Sequence, residues 1–303
     1  MANIIVVGSI NSDLVVTVKR YPKAGETLRG TDFSWYPGGK GANQAVAAVR
    51  LGATVEMVGA VGNDPYGEAL MNSLRVNLVG VNYVKVVQGA SGTAMITVEE
   101  NGENRIILAT GANQYVTWNS KDVFKSGEWL IVQNEIPWGI TESAIKLAAA
   151  EGVKVLLNPA PAKKIPSALL PLIDVLVVNE HEAKVVADVD ADNGTDEDLI
   201  AHLLSKGVRN VLLTLGKRGC MYASKKEIIH FPAHLVTNVV DTTAAGDTFI
   251  GAFVAARMEA KTIKEALQFA TAASAIAITR KGAQSSIPTK EEVEKFIKRN
   301  PIR

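Results

Sequence analysis

The sequence predicts an α/β fold: a three-layer sandwich with a mostly parallel central sheet flanked by helices, plus a small antiparallel β lid. Three observations point there. Short β-branched apolar runs recur along the chain, helical patterns fill the intervals, and two stretches break that rhythm with strands that no helix follows. Strands covered on both faces read as continuous apolar runs, and strand–helix alternation marks a parallel sheet between helical layers.

The buried-strand candidates are residues 4–7, 55–58, 130–132, 153–157, 175–178 and 211–215. Helical patterns lie between them at 43–50, 140–150, 199–205, 244–256 and 263–278. The first break in the rhythm is 14–18 with a second run near 27–35. The other is 95–99 and 105–109, which flank Glu100-Asn101-Gly102-Glu103, and Asn-Gly is a hairpin turn signal. These four runs make either one small sheet standing off the core, built from about 12–36 and 88–110, or two surface hairpins. No repeat, low-complexity tract or Gly/Ser linker divides the chain, so residues 1–303 read as one domain.

Composition excludes several classes. A chain of 303 residues that is 47% hydrophobic can bury a sizeable core, which a disordered or fibrous protein cannot. Lys+Arg 32 against Asp+Glu 31 leaves a net charge of +1, with no basic excess to attract nucleic acid. Cys220 is the only cysteine, so no intramolecular disulfide can form and a reducing, cytoplasmic setting is the simplest expectation. The opening MANIIVVGSINSDL lacks a basic n-region, a long apolar segment and a cleavage site. No apolar stretch reaches the roughly 18 residues of a membrane span, so the expectation is a soluble protein with no membrane partner.

The common nucleotide and catalytic signatures are missing. Gly216-Lys217 is followed by Arg218, and no Gly-x-x-x-x-Gly-Lys-Ser/Thr occurs. No Gly-x-Gly-x-x-Gly follows the first strand, His181-Glu182 lacks a second histidine, and there is no Gly-x-Ser-x-Gly elbow. Any nucleotide must be held another way.

One segment offers that way. Asp241-Thr242-Thr243-Ala244-Ala245-Gly246-Asp247 runs straight into the apolar helical pattern. Such a start leaves the backbone N–H groups of Ala245, Gly246 and Asp247 without helical partners, and the helix dipole adds attraction for an anion. Gly246 allows a phosphate to approach, and a carboxylate in the same turn can accept a hydroxyl proton. An anion cradle beside a proton acceptor suits phosphoryl transfer to an alcohol. Asp247 capping its own helix fits the same residues.

Other polar segments sit at element ends, each with two readings. Pro37-Gly38-Gly39-Lys40-Gly41-Ala42-Asn43-Gln44 enters a helix, with Lys40 and Asn43 placed for a polyol, or forms a loop before an N-cap at Asn43. Gly8-Ser9-Ile10-Asn11-Ser12-Asp13 puts Asn11 and Asp13 on one side if extended, or forms a turn. Asn179-Glu180-His181-Glu182 follows a strand, where open sheets bind ligands, or is a capping box; Asn179 and Glu182 could orient phosphates and hydrated Mg²⁺. Thr214-Leu215-Gly216-Lys217-Arg218-Gly219 lines a nucleotide site or joins two strands.

Together these segments resemble the phosphofructokinase-B-like family of sugar kinases, and within it the ribokinase branch. The likeness runs from Gly8 to about Pro288, and its most specific pieces are the Gly38–Gln44 and Asp241–Asp247 segments with Asn158-Pro159-Ala160-Pro161 and Thr279-Arg280-Lys281-Gly282-Ala283-Gln284. The resemblance implies ATP-dependent phosphorylation of D-ribose at its 5-hydroxyl, under a β lid that a homodimer often shares. Alternatives are a kinase for fructose, 2-keto-3-deoxygluconate or adenosine, or a non-catalytic sugar-binding protein on the same fold. It further implies that Ala244, Ala245 and Gly246 form an anion hole and that Asp247 is the base. Asn11, Ser12, Asp13, Gly39, Lys40, Gly41, Ala42, Asn43, Glu135 and Asp247 are then the sugar contacts. Asn179, Thr214, Leu215, Gly216, Lys217, Arg218, Gly219, Gly246 and Thr271 are the nucleotide contacts, with Glu182 near Mg²⁺. A K⁺ site would fall to Asp241, Thr243, Ala277, Arg280, Gly282 and Ser286, unless Asp241 is simply paired with Arg280.

Overall fold

Alternation along β1 (Ile4–Val7) separates two cores. Ile4 and Val6 pack into one, Ile5 and Val7 into the other, and all four residues are 0% exposed, so helices cover the strand on both faces. The computed structural model describes residues 4–100, 103–125, 127–189 and 194–302. Along the first part of the chain follow β2 (Asn11–Val18), β3 (Asp32–Gly38), α1 (Lys40–Arg50), β4 (Val55–Gly62), α2 (Pro65–Val76), β5 (Gly80–Val87), β6 (Gly92–Glu99) and β7 (Asn104–Ala109). Then come α3 (Asp122–Lys125), β8 (Trp129–Val132), α4 (Trp138–Ala150), β9 (Lys154–Leu157), β10 (Val175–Asn179), α5 (Glu180–Ala187), α6 (Asp196–Ser205) and β11 (Asn210–Thr214). The chain closes with β12 (Cys220–Ser224), β13 (Ile228–Phe231), α7 (Ala245–Met258), α8 (Ile263–Ala277) and α9 (Lys290–Arg299).

The large sheet has the order β13-β12-β11-β10-β9-β8-β1-β4-β5. Pairing is parallel from β11 through to β5, and antiparallel only at the β11–β12 and β12–β13 edge. Helices α1, α2, α7, α8 and α9 cover one face, while α3 to α6 cover the other. Parallel strands end on one side of a sheet, and ligands of open α/β sheets bind there. The ends of β1, β8, β9, β10 and β11 therefore bring Ser9, Gln133, Asn158, Asn179 and Thr214 to one edge.

The four off-rhythm runs form one small sheet of order β3-β2-β6-β7 rather than two separate hairpins. It is antiparallel in its two outer pairs and parallel where β2 meets β6. Its second run lies further along than the sequence pattern placed it, because β3 starts at Asp32 and runs through Pro37. Proline is tolerated there since β3 is an edge strand. The Asn101-Gly102 turn lies outside the described residues, though Val98 pairs with Asn104 on either side of it.

Local chemistry sets the helix starts. Asp64 caps α2 by accepting from the Gly67 N–H at 2.7 Å, with Pro65 opening the helix. Capping boxes open α5, α6, α8 and α9. Four expected starts move, α4 from 140 back to Trp138 and α6 from 199 back to Asp196 among them. Helix α1 begins at Lys40 with Gly39 as its N-cap at φ 89, so Asn43 is free of capping. Ala244 lies outside α7, in the left-handed region at φ 57.

Candidate active site

The first turn of α7 opens onto a cavity of about 230 Å³, lined also by Lys40, Asn158, Asn179, Glu182, Thr214 and Thr242. Ala244, Ala245, Gly246 and Asp247 all reach it. Of the three amides expected to be bare, that of Ala245 donates to the Thr242 carbonyl at 3.2 Å. The Gly246 and Asp247 N–H groups have no protein acceptor among the described residues. A Cβ built on Gly246 would meet nothing within 4 Å, so no protein neighbour demands glycine there. What the missing side chain keeps open is the space over the amide.

The Asp247 carboxylate is only 6% exposed and does not cap its helix. Its Oδ2 accepts from Asn43 Nδ2 at 3.0 Å and its Oδ1 from Gln44 Nε2 at 2.9 Å. Both donors come from α1, so the Gly38–Gln44 segment and the Asp247 turn meet across 203 residues of sequence. Asn43 Oδ1 is buried without a partner, an arrangement that costs about 1–3 kcal/mol unless something fills it.

A second polar cluster adjoins the first. Glu135 Oε2 accepts from Ser9 Oγ at 2.6 Å, from the Lys40 N–H at 3.1 Å and from Asn11 Nδ2 at 3.5 Å. Asn113 Nδ2 donates to Asn11 Oδ1 at 2.7 Å. Asp13 is buried nearby; burial first, then the charges of Glu135 and Asp247, push its carboxyl up to about 7, with Lys40 pulling the other way. For Lys40, burial works against the ammonium, but Asp247, Glu135, Glu182 and Asp13 outweigh it and hold the group above its usual value. Lys40 is thus the counter-ion that the cluster shares with the α7 cavity.

Three more residues expected in this cluster make structural contacts. The Ser12 hydroxyl accepts from Trp35 Nε1 at 2.6 Å. A Cβ on Gly41 would fall 2.7 Å from Gly8 C and Ser9 N, so glycine lets α1 press against the end of β1. The Ala42 N–H bonds to the Ser9 carbonyl at 2.9 Å, and its side chain is fully buried.

Of the residues expected to meet nucleotide, Asn179 and Glu182 have a placement that suits both readings. They form the capping box of α5, at 2.8 and 3.0 Å, and they line the cavity. Of the segment 214–219, Thr214 alone reaches this cavity. Leu215 is buried, Gly216–Arg218 is a single turn joining β11 to β12, and Lys217 is exposed. Gly219 sits at φ 94, where a Cβ would strike the Phe231 carbonyl. Arg218 turns away to Glu180 at 2.7 Å and Asp196 at 2.6 Å. The Thr271 hydroxyl bonds back to Leu267 and Gln268 of its own helix at 2.9 and 3.1 Å, and Thr271 is not part of the cavity wall.

The loops before α7 and after α8 are clasped by Asp241. Its Oδ1 accepts from the Thr243 N–H and its Oδ2 from the Gly282 N–H, both at 2.9 Å. Arg280 pairs with Glu292 at 2.6 Å, not with Asp241. The Ala277 carbonyl accepts from the Arg280 N–H at 3.0 Å and Ser286 Oγ donates to the Ala283 carbonyl at 2.7 Å. Asp241 is the one carboxylate of this set, and the remaining ligands on offer are carbonyl and hydroxyl oxygens. That chemistry fits a hard monovalent cation better than a divalent one. Among the described residues, no three His, Cys, Asp or Glu side chains cluster as a metal site.

Sequence reasoning passed over Ser9, Gln44, Asn113, Gln133 and Asn158 as site-building residues. Gln133 and Asn158 did carry a signal, a polar residue closing an apolar strand.

A sheet edge holding a helix start with two unpartnered amides, a buried carboxylate and an adjoining polar cluster suits a small-molecule phosphotransferase. The chain belongs to the pfkB family of carbohydrate kinases, whose family pattern matches residues 1–290. It is 41% identical over 298 residues to the ribokinase of Haemophilus influenzae, covering 96% of this chain and 97% of that one. Its fold matches the crystal structure of the Thermotoga maritima ribokinase with a TM-score of 0.91 at 39% identity, over 98% of this chain and all of the other. It likewise matches the Arabidopsis thaliana ribokinase complexed with ribose and ATP, with a TM-score of 0.90 at 32% identity, over 98% and 99% of the two chains.

Proposed function

We propose that this protein transfers the γ-phosphoryl group of ATP to the 5-hydroxyl of D-ribose, giving ribose 5-phosphate and ADP. The observation that carries the reading is the shared cavity: the Asp247 carboxylate lies beside two unpartnered amides and the open space over Gly246. The similarity to ribokinases supports ribose as the sugar.

The groups divide the work by chemistry. Asp247 takes the proton from the attacking hydroxyl, and the Gly246 and Asp247 amides hold charge that builds on the transferred phosphoryl. Asn43 offers its unpartnered Oδ1 to a sugar hydroxyl, while Asn11, Asp13 and Glu135 offer acceptors to the others. Lys40 balances carboxylates on both sides of the reacting centre. Asn179, Thr214 and Glu182 face the phosphates, and Glu182 would hold hydrated Mg²⁺ that arrives with ATP and screens phosphate charge. The loops around Asp241 would hold K⁺.

The whole chain acts as one kinase domain, its lid formed by about residues 12–36 and 88–110, and a second copy clasps that lid. We place it in the cytoplasm, in keeping with a lone, buried Cys220 whose thiol burial pushes up to about 12.

Ribose-dependent ADP formation, run against 2-deoxyribose, fructose, 2-keto-3-deoxygluconate and adenosine, tests the substrate. Ribose should give the highest kcat/KM; a clear preference for another acceptor refutes the assignment. Replacing a general base removes about 10²–10⁴ in rate. Asp247→Asn should therefore lose most of kcat while ribose still binds, and near-parental turnover would end the base role. Ribose binding with no ADP formed under any condition would favour a non-catalytic protein.

A further inference from the structure

Asp247 is held from behind by a chain of buried amides, of which Gln44 and Gln133 lie off the cavity wall and Asn158 lies on it. Gln133, fully buried at the end of β8, donates its Nε2 to Gln44 Oε1 at 2.6 Å. Gln44, also fully buried, donates its Nε2 to Asp247 Oδ1 at 2.9 Å and to Asn158 Oδ1 at 3.3 Å. Asn158 in turn donates to the Val177 carbonyl at 3.1 Å. Gln133 is closely seated: a Cβ on Gly8 would fall 2.1 Å from its Oε1, an oxygen that is buried without a partner.

The direction of this chain has a chemical consequence. A glutamine amide has one accepting end and one donating end. Because Gln44 Oε1 accepts from Gln133, the –NH₂ end of Gln44 has to meet the carboxylate. Asn43 and Gln44 differ in just this respect. Asn43 keeps one end unpartnered and can reach a sugar hydroxyl, whereas both ends of Gln44 are engaged by protein. Gln44 has nothing left to offer a ligand.

We infer that Gln44, oriented by Gln133, is a positioning residue that fixes the Asp247 carboxylate for phosphoryl transfer without touching sugar or nucleotide. The inference rests on the reading of Asp247 as the base. It predicts loss of turnover without loss of binding, since the reacting oxygen is misaimed while every substrate contact stays in place.

The test uses the full chain and ribose-dependent ADP formation. Gln44→Met keeps length and bulk but removes the donor. Its kcat should fall roughly tenfold to a hundredfold, the range for losing a hydrogen bond to a charged group. KM for ribose and ATP should stay within about twofold, a split that general loosening of the fold does not produce. Gln133→Met is the sharper probe. A thioether side chain cannot donate, so Gln44 Oε1 loses the partner that pins the direction of its amide. The kcat loss should then appear with Gln44 intact. In an Asp247→Asn background, Gln44→Met should add less than about a twofold further loss, because no carboxylate remains to be aimed.

A folded Gln44→Met enzyme with parental kcat overturns the inference, as does an equal rate loss in the Asp247→Asn background. If Gln44→Met fails to fold, Gln133→Met decides, and parental kcat there overturns it. These outcomes leave the base reading standing so long as Asp247→Asn itself is inactive; an active Asp247→Asn enzyme strikes down the base reading directly.

Discussion

Asp13 shows how much one side chain can report. Burial and the neighbouring carboxylates Glu135 and Asp247 raise its pKa to about 7 against the partial relief of Lys40. A folded value above the unfolded one, about 3.9, means that the folded state holds this proton more tightly. The stabilisation is therefore complete below about pH 4 and is lost as pH rises through about 7. Ribose hydroxyls donating to the carboxylate would favour its anion, so binding near neutral pH should expel a proton. Calorimetry in two buffers of unlike ionisation enthalpy measures that release at pH 7. No release would show that Asp13 does not receive the sugar. Asp13→Asn should abolish the release and raise the ribose KM on the order of tenfold or more, the cost of losing an ionised acceptor. Asp247 and Asp13 were legible as candidates because each closes a polar motif at an element end, although a cap or a turn fitted the same residues. Gln44 was not, since an amide means nothing until its partners are known, and they lie 89, 114 and 203 residues away.

Elements follow the same rule, with local signals readable and remote ones hidden. The buried parallel strands stood out as apolar runs, while β5, β12 and β13 did not, since antiparallel or half-exposed strands mix polar residues into the pattern. That β2 and β6 pair in parallel, far apart in sequence, has no local signature at all. Helix α1 was read as a helix, yet the reason for Gly41 lies in β1. Gly41→Ala forces α1 away from the Gly8–Ser9 backbone, and overpacking of this kind costs about 1–3 kcal/mol. Thermal unfolding should fall by several degrees, with ribose affinity reduced because Lys40 and Asn43 ride on the same helix; an unchanged midpoint would show that the backbone absorbs the contact. The small sheet raises a different question. Register puts Phe33, Met95 and Ile107 on one face of its sheet and Ile106 and Leu108 on the other, all of them exposed. A hairpin apolar on both faces needs cover. Sedimentation should find a dimer, and Ile106→Asp with Ile107→Asp should yield monomers with a much higher ribose KM; a monomeric parent protein would refute the clasp.

At the scale of the whole molecule, the anion cradle is joined to loops far from it in sequence. Asp241 ties the turn before α7 to Gly282, and Ser274 Oγ donates to the Ala245 carbonyl at 2.8 Å, so α8 and its following loop brace the first turn of α7. The same loop touches the small sheet: a Cβ on Gly282 would lie 2.8 Å from the Tyr36 ring of β3. A cation seated among the oxygens of these loops would therefore tighten the cradle and the lid base together. An oxygen cage of fixed size discriminates by ionic radius, and Arg280 cannot substitute for the cation because Glu292 holds its guanidinium. Turnover should rise severalfold as K⁺ replaces choline at constant chloride and much less with Na⁺. The unfolding midpoint should rise with K⁺ even without substrate, since a ligand that binds only the folded state stabilises it by mass action. Equal activity and equal midpoints in potassium, sodium and choline would mean that Asp241 and its neighbours form a purely structural clasp.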